Sequence, residues 1–312
     1  MPPRHLLKVV ATLLALAGGG GILTACTAKS EAKPPGPTPP SSASASAPSP
    51  SGTDALDGTL TSQGIDLKGL DDGQKRWLSE LVEKYQSPCG KPHSLLTSLK
   101  SDPKCKRSVF ATRYLANLLR SGLLKSETEE YYEMRFVTPE TAKCELTSVP
   151  VRGTPTAPVS LCEFSDFQCP HCKQMEPLLA RLLEDFRGQV KLYYKNFPLT
   201  KVHADARDAA AAALAAGNQG KFWQMHDTLF NHQDSLTAAD LEKYASELKL
   251  DLKRWKADLV AARDQVDRDR AEGEKFEING TPTLYINGRK FKQAGPLRYE
   301  DLKDWIEEEL SR

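Results

Sequence analysis

The chain has 312 residues, 39% of them hydrophobic and 27% charged, and its 42 Lys and Arg against 41 Asp and Glu leave a formal net charge of +1. So even a balance gives no electrostatic case for nucleic-acid binding. Seven cysteines behind a targeting pattern point to a compartment that permits disulfides.

Residues 1–25 read as a signal peptide. Arg4 and Lys8 form a positive n-region and Val9 to Ala17 an apolar h-region, and Gly18 to Gly21 break that run too early for a membrane-spanning helix. Leu23-Thr24-Ala25-Cys26 resembles a bacterial lipobox, which implies cleavage before Cys26 and lipidation of its thiol; a soluble secreted protein cut nearby is the alternative. Residues 26–60 are rich in Pro, Ser, Ala and Gly and nearly free of large apolar side chains. Such a segment cannot offset its ordering entropy, so a disordered tether is expected.

The remaining chain, roughly 250 residues, suffices for one ordinary domain and a small one. Residues 71–137 have helical periodicity throughout and are expected to form a small all-α domain. Trp77, Leu78, Leu81, Val82 and Tyr85 follow Asp71 and Asp72, which suit the N-cap. Val109, Phe110, Tyr114, Leu115, Leu118 and Leu119 form a second stripe that stops at Gly122, and Ser126 with Glu129 has the spacing of a capping box for a third helix. Cys89 and Cys105 flank a Pro- and Lys-rich connection, and a structural disulfide between them is expected, with a second redox pair as the alternative. Cys162, in an apolar strand, is most simply a small buried hydrophobe; pairing with Cys144 across neighbouring strands is the other reading.

Residues 150–312 read as β-α-β, a long helical stretch, then β-β-α. The strand Val159 to Phe164 leads to Cys169-Pro170-His171-Cys172 and a helical pattern from Lys173 to Phe186, followed by a strand from Val190 to Tyr194. Helices are expected over Ala204 to Ala216, Lys221 to Phe230, Thr237 to Leu248 with Thr237 and Asp240 as a capping pair, and Leu252 to about Glu274. Thr283 to Ile286 alternates as a strand, Asn287-Gly288 signals a hairpin, Lys290 to Gln293 returns, and Arg298 to Leu310 closes as an amphipathic helix. The fold class is α/β: a thioredoxin-like sandwich with a helical insertion, preceded by the all-α domain.

The Cys-x-x-Cys places Cys169 at a helix N-terminus, where unpaired backbone N–H groups and the helix dipole stabilise a thiolate by roughly 0.5–2 kcal/mol. Pro170 suits the first turn because its missing N–H would have had no partner. A protonated His171 adds charge and a donor beside Cys169, which makes Cys169 the nucleophile and Cys172 the buried resolving thiol. A zinc site would need a second ligand pair at the proper spacing, which the chain lacks, and a structural disulfide here would close a loop too short to constrain the unfolded chain much. Glu163 is a carboxylate within an otherwise apolar strand, where burial raises its pKa and suits proton exchange with Cys172. A salt-bridged or partly wet Glu163 is the plainer reading, and His203, His226 and His232 are taken as structural.

Glu163-Phe164-Ser165-Asp166-Phe167-Gln168-Cys169-Pro170-His171-Cys172, Gln219-Gly220-Lys221-Phe222-Trp223-Gln224-Met225-His226 and Gly280-Thr281-Pro282-Thr283 together resemble the DsbA-like thiol:disulfide oxidoreductases. The resemblance covers about Pro150 to Leu310 and leaves the helical domain outside. It implies that Pro282 is a cis-proline facing the dithiol, that the Thr281 backbone pairs with an extended substrate, and that Glu163 holds the position of the family's buried acid. The expected activity is disulfide exchange in secreted or envelope proteins, in the direction of oxidation, without metal or cofactor. Its partners would be cysteine-containing protein substrates, a redox partner that recycles the dithiol, and a membrane reached through the lipid anchor. Isomerase or reductase activity, or a non-catalytic binding module or chaperone, stand as alternatives.

Overall fold

The computed structural model describes residues 53–312; the signal peptide, Cys26 and most of the expected tether lie outside the described residues. The described part begins with helix α1, Thr53–Ser62, so order starts before the Leu60 boundary expected from composition. The reason is long-range: Leu60 and Ile65 are buried in one apolar cluster with Leu78, Leu81, Leu95 and Leu115. An isolated ten-residue helix would be marginal, and tertiary burial supplies what propensity does not.

Helices α2 (Asp72–Lys84), α3 (Leu95–Ser101), α4 (Arg107–Arg120) and α5 (Lys125–Tyr132) surround that cluster. The α2 start is a complete capping box between Asp71 and Gln74. For α5 the expected pairing of Ser126 with Glu129 does not form, because the helix begins earlier: Ser126 lies inside it, and the Leu124 N–H donates to Glu127 Oε2 at 2.8 Å. A π-helical turn, Glu133–Val137, ends the bundle. Cys89 and Cys105 are joined as a disulfide across the α2–α4 connection.

The central sheet has five strands in the order β1-β3-β2-β4-β5, namely β1 (Val151–Gly153), β2 (Val159–Ser165), β3 (Val190–Asn196), β4 (Thr283–Ile286) and β5 (Arg289–Lys290). β2 runs parallel to β3 and antiparallel to β4, with Glu163 opposite Tyr194 on one side and Leu284 on the other. Alternation splits β2 between two cores. Val159 and Leu161 pack with Met175, Leu179 and Trp305, whereas Cys162 and Phe164 pack with Phe197, Ile278 and Tyr285. Cys162 is nevertheless not a free hydrophobe. It is disulfide-bonded to Cys144, which ties the segment after the helical bundle to the sheet. That segment also covers the sheet edge, with the Ala142 N–H donating to Gly288 O and the Lys290 N–H to Glu140 O, both at 2.8 Å.

One sheet face carries α6 (Pro170–Asp185) and α11 (Tyr299–Leu310); the inserted helices α7 (Ala206–Gly217), α8 (Phe222–Asn231), α9 (Ala238–Glu247) and α10 (Leu252–Lys275) build the rest. Alanines along α7 are buried, and the Trp255 indole of α10 donates to Ala212 O at 3.1 Å. Gly273 lets α10 reach the sheet, since a Cβ there would lie 2.6 Å from Phe197 Cδ2. The α10–β3 contact is fixed by a buried Lys195, whose Nζ lies 2.8 Å from both Asp269 and Glu272.

The helical bundle and the sheet are not separate bodies; the described residues form one compact unit. A buried charge cluster joins them. Glu308 of α11 takes Arg107 at 3.1 Å, Arg135 at 2.9 Å and Arg289 at 3.1 Å, with Glu309 and Asp304 beside it and the Arg135 guanidinium 4.4 Å from the Trp305 ring centre. Among the described residues no helix is long and apolar enough to cross a membrane.

Candidate active site

Cys169 is the N-cap of α6 and Pro170 its first residue. The preceding loop is held by Asp166, buried, whose Oδ1 accepts the Gln168 N–H and whose Oδ2 accepts the Leu199 N–H, both at 2.7 Å. His203 Nδ1 lies 2.7 Å from the same Oδ2. From the other side the Gln233 amide donates to Phe167 O and Cys169 O, both at 2.8 Å. Asp166 lies within the segment from Glu163 to Cys172, and His203 takes the structural role expected for it; nothing in the sequence marks Gln233, which comes from the α8–α9 connection.

The two sulfurs are free and differ in setting. Cys172 has no exposed surface, and burial, the Cys169 sulfur and the Glu163 charge push its pKa well above the thiol range. Cys169 is brought down to about 5, chiefly by the Cys172 thiol beside it, with Thr281 and the backbone N–H groups of Cys172 and His171 adding to this and burial opposing. Its residue is only 4% exposed, less than a helix-start sulfur suggests, because Thr281 covers it. In the thiol form Sγ donates to Thr281 O at 3.3 Å. The Thr281–Pro282 peptide is cis, which turns the Thr281 carbonyl toward Cys169. His171 acts on Cys169 through its backbone N–H, while its side chain is exposed toward a cleft of about 560 Å³ lined by Met175, Leu178, Pro282, Leu284, Phe291 and Leu297.

Glu163 sits beneath the dithiol with both carboxylate oxygens buried and without a hydrogen-bond partner. It has no exposed surface and forms no salt bridge with the described residues. Burial and then the Glu176 charge push its pKa up to about 8, and His226 pulls the other way. His226, Tyr194 and Phe167 pack as one ring cluster over this layer, with 4.9 Å between the His226 and Tyr194 centres. Among the described residues no group of His, Cys, Asp and Glu has the arrangement of a metal site.

A thiolate-favouring sulfur at a helix start, a buried partner thiol, a cis-proline opposite and an acid beneath define a thioredoxin-fold dithiol protein. Residues 146–308 match the family model described as Thioredoxin. The chain is 31% identical over 176 residues, 51% of this chain and 77% of the relative, to a probable disulfide bond formation protein D of Bacillus anthracis. The crystal structure of oxidised BdbD from Bacillus subtilis superposes with a TM-score of 0.50 at 28% identity, covering 56% of this chain and 99% of that one. The chain also matches a Na(+)/H(+) antiporter NhaA 3 of Salinispora tropica, 44% identical over 154 residues, which is 49% of this chain and 23% of the antiporter. It thus spans only about a quarter of the length of antiporters of this kind. The chain belongs to the thioredoxin family, within its DsbA-like thiol:disulfide oxidoreductases.

Proposed function

We propose that the protein is an extracytoplasmic thiol:disulfide oxidoreductase, anchored to a bacterial membrane by a lipid on Cys26, that oxidises cysteine pairs in secreted or envelope proteins. The observation that carries this reading is the opposed environment of the two sulfurs, one favouring the thiolate and the other the thiol. Stabilising the Cys169 thiolate stabilises the reduced protein, which makes its disulfide a stronger oxidant.

A substrate thiolate attacks Cys169 Sγ in the disulfide, the Sγ–Sγ bond breaks, and Cys172 leaves as a thiolate. That thiolate is poorly tolerated in its buried position and takes the proton of Glu163. A second substrate thiolate then attacks the substrate sulfur of the mixed disulfide and expels Cys169, now a good leaving group. An extended substrate segment would pair with the Thr281 backbone and lay apolar side chains in the cleft beside Pro282. A redox partner would return the dithiol to the disulfide.

The test is trapping. Cys172→Ser protein should accumulate mixed disulfides at Cys169, visible by mass spectrometry, and Cys169→Ser protein should lose exchange altogether. Trapping at Cys172 in the Cys169→Ser protein would reverse the two roles. The equilibrium potential of the pair against glutathione then separates an oxidase from a reductase.

A further inference from the structure

We propose that Lys91, Lys100, Lys104 and Lys106, at the disulfide-tied end of the helical bundle, form a docking surface for an anionic lipid bilayer and so fix which side of the protein faces the membrane. The inference rests on the reading that the chain is held at a membrane through Cys26.

All four lysines are exposed, and among the described residues none has a carboxylate partner within ion-pair distance. Other exposed lysines differ in this respect: Lys84 is paired with Glu129, Lys243 with Glu247 and Lys256 with Glu242. The fold also draws the four together. Lys91 follows Cys89 by two residues, Lys104 and Lys106 flank Cys105, and the Cys89–Cys105 disulfide holds the two Cα atoms 5.9 Å apart. Lys100 lies in the last turn of α3, after which the chain turns back at once, the Asp102 N–H donating to Ser98 O at 2.9 Å and the Cys105 N–H to Asp102 O at 3.0 Å. Between residues 86 and 107 Asp102 is the only carboxylate, and it is half-buried. Arg107 is already engaged by Glu308. Ammonium groups gathered without counter-charge repel one another over a screening length of about 8 Å, and a layer of fixed negative charge relieves that repulsion.

Two further observations favour a bilayer over an acidic protein. Beside Lys106 opens a groove of about 320 Å³ lined by Leu99, Pro103, Val109 and Phe110, so the charges border apolar surface suited to the layer beneath lipid headgroups. Lysine ammoniums are point charges on flexible stems, without the directional fork that an arginine offers a carboxylate, and they match a fluid array of phosphates.

The second observation is where the anchored end enters. Helix α1 has ten residues and is about 15 Å long, and Gln63, just after its end, lines the same groove. The chain that carries Cys26 therefore meets the bundle about one helix length from the lysines. The segment from Cys26 to Thr53 can extend to roughly 90 Å, so a lipid on Cys26 confines the protein near the membrane without choosing its orientation. Such confinement raises the local concentration of the basic surface at the headgroups, and weak contacts then suffice to select one face.

The experiment uses the chain from Thr27 onward, which keeps the whole compact unit and lacks both the signal peptide and Cys26. Co-sedimentation is measured with vesicles of phosphatidylglycerol and phosphatidylcholine in equal parts, and with phosphatidylcholine alone. The protein should bind the first and not the second, and about 0.5 M salt should release it. Each lysine at an anionic surface strengthens binding about fivefold, so the combined Lys91→Gln, Lys100→Gln, Lys104→Gln and Lys106→Gln variant should bind on the order of a hundredfold more weakly. A control with Lys243, Lys249, Lys253 and Lys256 changed to Gln, all exposed on or between α9 and α10, loses the same net charge and should bind as wild type does. Equal binding to both kinds of vesicle, or equal weakening by the control, would overturn the proposal. So would no binding to phosphatidylglycerol vesicles, which would leave the surface to an acidic protein. Mass spectrometry of the protein from cells reads lipidation of Cys26 separately, so loss of the anchor reading is distinguished from loss of the docking surface.

Discussion

Glu163 in β2 and Glu308 in α11 both have no exposed surface, yet Arg107, Arg135, Arg289 and Arg312 surround Glu308 while Glu163 has no hydrogen-bond partner. Burial opposes ionisation at both. At Glu308 the Arg135, Arg289 and Arg107 guanidiniums outweigh it and lower the pKa; at Glu163 nothing does, and the value rises to about 8. The same side chain is therefore a fixed anion where two parts of the chain are held together, and a carboxyl that keeps its proton beneath the dithiol. What decides between the two roles is the supply of permanent positive charge, since a guanidinium stays charged at any working pH.

The sharpest way to break this comparison is to remove the anchored member. Glu308→Ala would leave the buried Arg135 and Arg289 and the half-buried Arg107 without their shared partner, and loss of one partner from such a cluster costs about 3–5 kcal/mol. Urea unfolding should show that loss, and a change below about 1 kcal/mol would mean the cluster is wetter than its geometry.

Next in size is the Cys89–Cys105 disulfide, whose partners are separated by 16 residues. Removing it with a double Ala substitution should lower stability by about 3 kcal/mol through the unfolded chain. Exchange with small disulfides should be unaffected, because these sulfurs belong to the anchored half of the molecule. A matching loss of exchange rate would make this pair part of the redox chemistry.

Glu163→Gln sharpens the other side. With a folded value near 8 against an ordinary 4.5, native Glu163 keeps its proton while the unfolded chain releases it. Its contribution to stability is full below about pH 4.5, declines as pH rises, and is gone above about pH 8. Cys169 has the opposite sign: its value of about 5 lies below the ordinary 9.0, so its contribution to the reduced protein grows with pH across that window and is lost as pH falls through about 5. Reduced Glu163→Gln protein should therefore exceed wild type in stability by up to about 5 kcal/mol near pH 9 and by little near pH 4. Parallel curves of stability against pH would show that Glu163 is ionised when folded.

The smallest effect is expected from His171→Ala. It should raise the Cys169 pKa by less than about one unit and lower the potential accordingly, because the backbone N–H survives the substitution and the imidazole is exposed. An ultraviolet thiolate titration measures it. A shift of two units or more would return the leading role to the imidazole.

Elements that depend on local pattern are legible along the chain: the strand-dithiol-helix unit from Val159 to Asp185, the capping pair at Thr237, and the hairpin at Asn287-Gly288. Periodicity, caps and turn residues are short-range signals, and a helix start is visible a few residues away from the cysteine it activates. Glu163 also stood out, because a carboxylate in an apolar strand violates the pattern around it. Features that need partners distant in the chain came from the three-dimensional fold. It joined Cys144 to Cys162, drew α1 out of a segment whose composition reads as disordered, and brought Gln233 onto the active-site loop. It also placed Glu176 and His226 at 3.4 Å from each other on two helices, and docked the helical bundle on α11 through arginines that no local pattern marks. Charge and burial are properties of a place in space, and a linear pattern carries no term for which side chains converge there.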